Sequence, residues 1–116
     1  MEKGYYEYEF EETPTFERLI KKICDNEEEE SLIKHEVAYN RYNGDPIIGS
    51  SGIRKIRVSL KDKGKRSSAR VIYYFTDDNN AIVFFLLIYK KADQEDLTPK
   101  QEKLLLKIVE DFKKDH

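Results

Sequence analysis

Apolar and acidic side chains alternate over residues 5–11, with Tyr6, Tyr8 and Phe10 on one side and Glu7, Glu9 and Glu11 on the other. A period of two predicts a short strand, suited to a sheet edge. Thr13-Pro14 then opens a helix, because threonine is a good N-cap and proline fits the first helical position. Phe16, Leu19, Ile20 and Ile23 follow at i, i+3, i+4 and i+7, a single apolar stripe. Asp25-Asn26 interrupts the pattern and recaps a second helix. Glu27 to Glu30 fall in its first turn, where the helix dipole favours negative charge. Ile33, Val37 and Asn40, flanked by Leu32 and Tyr39, give it a weaker stripe, and Gly44-Asp45-Pro46 ends it.

The second half reads as a sheet followed by a helix. Residues 53–60 alternate, Ile56, Val58 and Leu60 against Lys55, Arg57 and Ser59. Residues 61–68 read as a polar loop around Gly64, and residues 69–76 are rich in β-formers. Asp77-Asp78-Asn79-Asn80 is a tight turn, since Asp and Asn tolerate the left-handed conformation such turns require. Residues 82–89 are almost wholly apolar, as in a strand covered on both faces. Thr98-Pro99 opens the last helix, with Gln101 placed to close a capping box and Leu105, Ile108, Val109 and Phe112 as its apolar face. These elements predict an α+β fold: an N-terminal strand and two helices, a small, mostly antiparallel sheet and a C-terminal helix. No repeat or long linker divides the 116 residues, so residues 1–116 are expected to form one domain.

Composition narrows the classes. The chain is 38% charged, but fourteen clustered aromatic residues argue against disorder. Cys24 is the single cysteine and His35 and His116 the only histidines, which excludes a disulfide scaffold and a structural zinc site. The longest apolar run, residues 81–89, is too short to span a bilayer. Met1-Glu2-Lys3-Gly4 lacks the basic and apolar regions of a signal peptide, so the expected compartment is the cytosol.

The net charge of −2 hides a segregation. Residues 1–49 carry 13 acidic and 6 basic side chains, residues 50–75 carry 1 and 8, and residues 76–116 carry 9 and 7. A near-neutral chain thus contains a block as basic as a nucleic-acid contact surface.

No Ser/His/Asp set or phosphate-binding glycine loop is present. Gly49-Ser50-Ser51-Gly52 precedes a strand and reads as a flexible turn. The run Glu27 to Glu30 lacks metal-ligand spacing and reads as a solvated helix start, Cys24 as a buried structural thiol, and His35 as an exposed helix residue. What remains is the basic block: Arg54, Lys55, Arg57, Lys61, Lys63, Lys65, Arg66 and Arg70. Lys55 and Arg57 project from one face of a strand, and Arg70 opens the next, where it can lie across from them. Arginine forms paired hydrogen bonds to phosphate oxygens and lysine supplies point charge, so such a ribbon can grip a phosphodiester backbone. Tyr73, Tyr74 and Tyr89 on the same sheet can stack an unpaired base. A plainer role for the block is to solvate an exposed sheet face and blunt an edge.

The same residues carry a resemblance. Gly49-Ser50-Ser51-Gly52-Ile53-Arg54-Lys55-Ile56-Arg57-Val58, Lys63-Gly64-Lys65-Arg66, Arg70-Val71-Ile72-Tyr73-Tyr74-Phe75, Tyr89-Lys90-Lys91 and Asp96-Leu97-Thr98 resemble the HigB branch of the RelE-type toxins of toxin–antitoxin pairs. The ordered string is specific where its pieces are not. It covers residue 48 to about residue 101, and the first forty residues match only in architecture. The resemblance implies a RelE-like fold and a metal-independent endoribonuclease without cofactor that cuts mRNA, commonly on the ribosome. In that chemistry the 2′-hydroxyl attacks the adjacent phosphate, leaving a 2′,3′-cyclic phosphate and a 5′-hydroxyl. Lys55, Arg57 and Arg70 match the family's catalytic cations. The resemblance implies a phosphate-stabilising role for Arg57 and Arg70. It implies charge stabilisation for Lys55, or a base if neighbouring cations lower its pKa. Donors of this kind contribute about 3–4 kcal/mol each to a transition state. Arg54, Lys61, Lys63, Lys65, Arg66, Tyr74, Lys90 and Lys91 are the implied RNA contacts.

RelE itself carries an arginine and a tyrosine after the last strand; the matching positions here, near Lys91-Ala92 and Thr98, hold neither. The general base and acid are thus unassigned, and Tyr73, Tyr74 and Tyr89 read as packing or stacking groups. The implied partners are mRNA, the ribosome and a helix-turn-helix antitoxin of the HigA type. Two other readings stand beside the nuclease: a poison of DNA gyrase like the ParE toxins, and a module that binds RNA or antitoxin without cleaving.

Overall fold

Each helix begins where its capping residue stands. In the computed structural model, which describes residues 8–47, 49, 51–62, 65–77 and 81–116, Thr13 accepts from Phe16 N (2.9 Å) and opens α1 (Pro14–Ile23). Asn26 accepts from Glu29 N (2.8 Å) and opens α2 (Glu27–Tyr39). Thr98 and Gln101 form the expected capping box at the start of α3 (Pro99–Asp115). Five strands make one mixed sheet: β1 (Glu9–Glu12), β2 (Asp45–Pro46), β3 (Arg54–Asp62), β4 (Lys65–Phe75) and β5 (Ile82–Lys90), in the order β1-β5-β4-β3-β2. Only the β1–β5 pair is parallel, so the expected α+β class with a mostly antiparallel sheet is what the chain adopts. The part of the expected first strand before Tyr8 lies outside the described residues, and β1 does form a sheet edge.

The two faces of the sheet bury different helices. Phe16 and Ile20 of α1 and Ile33 and Val37 of α2 meet Val58, Val71, Tyr73, Val83, Phe85 and Ile88. On the other face Leu105, Val109 and Phe112 of α3 meet Ile53, Ile72, Phe84 and Leu87. Each such side chain, fully buried, contributes roughly 1.5–3 kcal/mol. Among the described residues no helix is long and apolar enough to cross a membrane.

A bulge explains the unbroken apolar run in β5. Tyr73 pairs with Phe85 but Ile72 pairs with Leu87, so Leu86 is an extra residue and the alternation changes phase there. Val83, Phe85 and Ile88 face α1 and α2, while Ile82, Phe84, Leu86, Leu87 and Tyr89 face α3. The carbonyl of Leu86 accepts from the Thr13 hydroxyl (2.8 Å), so the residue that caps α1 also satisfies the bulge.

Four expectations are corrected. The polar loop expected over residues 61–68 is strand: Lys61 pairs with Arg66 and Asp62 with Lys65, leaving residues 63–64, outside the described set, to connect them. Polar side chains do not end a ribbon that projects beyond the core, because the ladder depends on backbone groups. Gly44-Asp45-Pro46 does not end α2, which stops at Tyr39 with Asn40 as its C-cap and not as part of its apolar stripe; Asp45 and Pro46 instead form β2. Glu29 and Glu30 are not solvated; both are 8% exposed. Glu29 accepts from Asp25 N (2.9 Å) and from Lys61 N of β3 (3.1 Å), which ties the start of α2 to the sheet, and Glu30 pairs with Lys21 (3.6 Å). His35 is half-buried with its ring 5.0 Å from that of Phe10, and its Nδ1 donates to Ser31 O (2.8 Å).

Cys24 is buried, as expected. Burial first, then the carboxylates of Glu29, Glu30 and Asp25, push its thiol up to about 12, which leaves it unreactive at neutral pH.

Candidate functional site

Strand register decides which cations can act together. In the β3–β4 hairpin Arg57 lies directly opposite Arg70, and Lys55 opposite Ile72. Successive residues of a strand point to opposite faces, so Lys55 and Arg57 share a face with Ile72 and Arg70. Ile72 packs in the α3-side cluster, which identifies the face. Arg70 is in turn opposite Tyr89 of β5, so the row Arg57–Arg70–Tyr89 runs across three strands.

Each member has a distinct environment. Arg57 is exposed and its guanidinium makes no ion pair with another described residue. Arg70 is half-buried, and its Nη1 is a buried donor without a hydrogen-bond partner among the described residues. Lys55 Nζ lies 3.1 Å from Asp96 Oδ1. Asp96 belongs to the segment between β5 and α3, which is held by Gln94 Nε2 donating to Asp96 O (2.8 Å) and to Gln101 Oε1 (2.9 Å). The Asp96 side chain is 71% exposed, so this pair contributes only about 0–1 kcal/mol and does not lock Lys55. A cleft of about 540 Å³, lined by Asp45, Pro46, Ile47, Lys55, Asp96, Leu97 and Glu102, opens beside it.

Tyr89 belongs to the same row and packs in the apolar cluster under α3, as a packing group does. Read as a packing or stacking group, it is only 6% exposed, and its hydroxyl is a second buried polar atom without a partner among the described residues. Burial raises its phenol above the ordinary value, with Lys55 and Arg70 opposing the shift and Asp96 adding to it. The phenol therefore stays protonated at neutral pH and acts as a hydrogen-bond donor. The sequence signal was its place immediately before Lys90-Lys91, but the bulge at Leu86 hides from a pattern reading the face that it joins.

The remaining candidates separate. Lys61 is exposed and falls on the same side of β3 as Lys55 and Arg57, about 13 Å from Arg57 along the strand. Lys91 is exposed at the end of β5, its N–H donating to Ser68 O (3.2 Å). Lys65 and Arg66 occupy the β4 side of the hairpin end, and Lys63 lies outside the described residues. Three candidates are not brought to the cationic row. Arg54 is opposite Tyr73 and faces α2; its Nη1 donates to Gly44 O (2.8 Å) and stays close to Tyr42 O (3.3 Å), and its guanidinium lies 5.7 Å from the Phe75 ring centroid. Lys90 is opposite Ala69, which packs on the α1–α2 side, so strand alternation places it behind the sheet. Tyr74 is on the α3 face but is covered, its ring 6.1 Å from that of Phe112 and 5.1 Å from Lys113 Nζ.

Among the described residues no group of three or more His, Cys, Asp or Glu side chains is placed to hold a metal ion. The chemistry on offer from this chain's own side chains is a set of cations, exposed at Arg57 and half-buried at Lys55 and Arg70, beside one buried neutral phenol. Such a set neutralises and orients a phosphodiester. A comparison with protein-family models matches residues 12–115 to the family described as "RelE toxin of RelE / RelB toxin-antitoxin system".

Proposed function

Because the chain belongs to the RelE toxin family, whose toxins are ribonucleases and are paired with an antitoxin, we propose that it is an endoribonuclease that cuts mRNA on the ribosome. The motif strings favour the HigB-like branch and, with it, a HigA-like helix-turn-helix antitoxin. The observation that carries the nuclease reading is the register: Arg57 directly opposite Arg70, with Lys55 two residues along on the same face.

The three cations neutralise the scissile phosphate. Arg57 and Arg70 donate to its non-bridging oxygens, and Lys55, released by Asp96, adds point charge. The 2′-oxygen then attacks phosphorus as its proton departs, the P–O5′ bond breaks, and O5′ takes up a proton. Neither water nor a co-reactant is consumed, and the products are a 2′,3′-cyclic phosphate and a 5′-hydroxyl. Lys61, Lys65, Arg66 and Lys91 guide the flanking RNA by charge.

Primer extension on cellular messages after induced expression tests the reading. It is expected to give new stops inside translated frames, with growth arrest. Arrest with DNA damage and no RNA stops would overturn it and favour gyrase poisoning. Arrest with neither would leave a binding module.

A further inference from the structure

We propose that Tyr89 is a further catalytic residue of this site, its hydroxyl donating, beside Arg70 Nη1, to a non-bridging oxygen of the bound phosphoryl group. This rests on the nuclease reading above and adds a neutral donor to the three cations.

Buried polar groups are almost always satisfied within the protein. Here two of the few described exceptions, Tyr89 Oη and Arg70 Nη1, belong to residues directly opposite each other on neighbouring strands. No hydrogen bond joins the two, although the phenol oxygen could accept from the guanidinium, and one acceptor placed between them satisfies both donors. Tyr89 packs in the apolar cluster under α3, and the charges of Lys55, Arg70 and Asp96 are near enough to bear on its hydroxyl, which puts that hydroxyl where the apolar layer meets the cations. A carboxylate, Asp96, already sits on Lys55 at 3.1 Å, so this corner of the sheet accommodates an oxyanion. A phosphoryl oxygen meets the need more fully: it accepts from two donors at once and brings negative charge to Arg70. An arginine–phenol pair differs from three cations alone because the phenol donates without adding charge, and so gives direction to binding that point charge lacks.

The test is single-turnover cleavage of a message on programmed ribosomes by Tyr89→Phe, with thermal melting alongside. The expected result is a fall in rate of about 10²-fold at saturating enzyme. Melting should be unchanged, because the deleted hydroxyl makes no hydrogen bond with another described residue. Sulfur at the non-bridging oxygen facing the pair slows the wild type and adds little further loss to Tyr89→Phe, a coupling that a structural tyrosine would not show. A Tyr89→Phe rate within about threefold of wild type, with Arg70→Ala strongly impaired, would overturn this inference and leave the nuclease reading intact. Wild-type rates in both Tyr89→Phe and Arg70→Ala would overturn both.

Discussion

Glu29 shows how much one side chain can hold in place. Its carboxylate, 8% exposed, accepts from Asp25 N and from Lys61 N on another element. Glu29→Ala leaves two donors without their acceptor and is expected to cost about 2–3 kcal/mol, measured as a lower urea midpoint. Glu29→Gln, which keeps one carbonyl oxygen, should recover part of it. A second prediction concerns alkaline pH. Burial pushes Tyr73 up to about 12 from an ordinary value of 10.0, and Cys24 up to about 12 from 9.0. The folded chain thus keeps protons that the unfolded chain has already lost. Stability is intact below pH 9 and falls as pH rises toward 12, by on the order of 2–3 kcal/mol for Tyr73 alone. Unfolding free energy measured from pH 8 to 11.5 should slope downward, and Tyr73→Phe should flatten the upper part; a flat wild-type curve would contradict it. At this scale the sequence is only partly readable. Lys55 and Arg57 are legible as one face because they are two residues apart in a strand. Arg54 is adjacent to Lys55 and equally basic, yet the pleat sends it to the α2 side to donate to Gly44 O.

Among the elements, the hairpin decides the site. Only residues 63 and 64 separate the last pair, Asp62 and Lys65, and that length fixes every pair behind it, including Arg57 with Arg70. An eight-residue loop over residues 61–68, which the polar composition favours, leaves that register open. Helices are more legible, because Thr13, Asn26 and Thr98 are capping residues ahead of apolar stripes. The β5 run is legible as a strand, but its faces are not, since the phase change at Leu86 depends on pairing with β4 and on the Thr13 hydroxyl. The segment from β5 to α3 is set by the capping box, with Gln101 Oε1 accepting from both Thr98 N and Gln94 Nε2. Thr98→Ala is expected to cost about 1 kcal/mol in thermal unfolding. It should also loosen the Asp96 segment, seen as faster amide exchange at residues 94–98.

At the scale of the molecule, the charge segregation of the sequence becomes a segregation by place. The acidic first 49 residues build the helices on one face of the sheet, and the basic block builds the β3–β4 ribbon, which carries Lys55, Arg57, Lys61 and Arg70 on the other. On the function proposed above, the acidic side repels a polyanion that the ribbon attracts, and RNA is expected to meet the molecule from one direction. The central claim is that Arg57 and Arg70 together hold the scissile phosphate. Its most direct measurement is the single-turnover cleavage rate on programmed ribosomes for Arg57→Ala/Arg70→Ala against wild type, with melting curves showing both folded. The account predicts a loss of at least about 10³-fold for the folded double variant. Cleavage by that variant at the wild-type rate would contradict it.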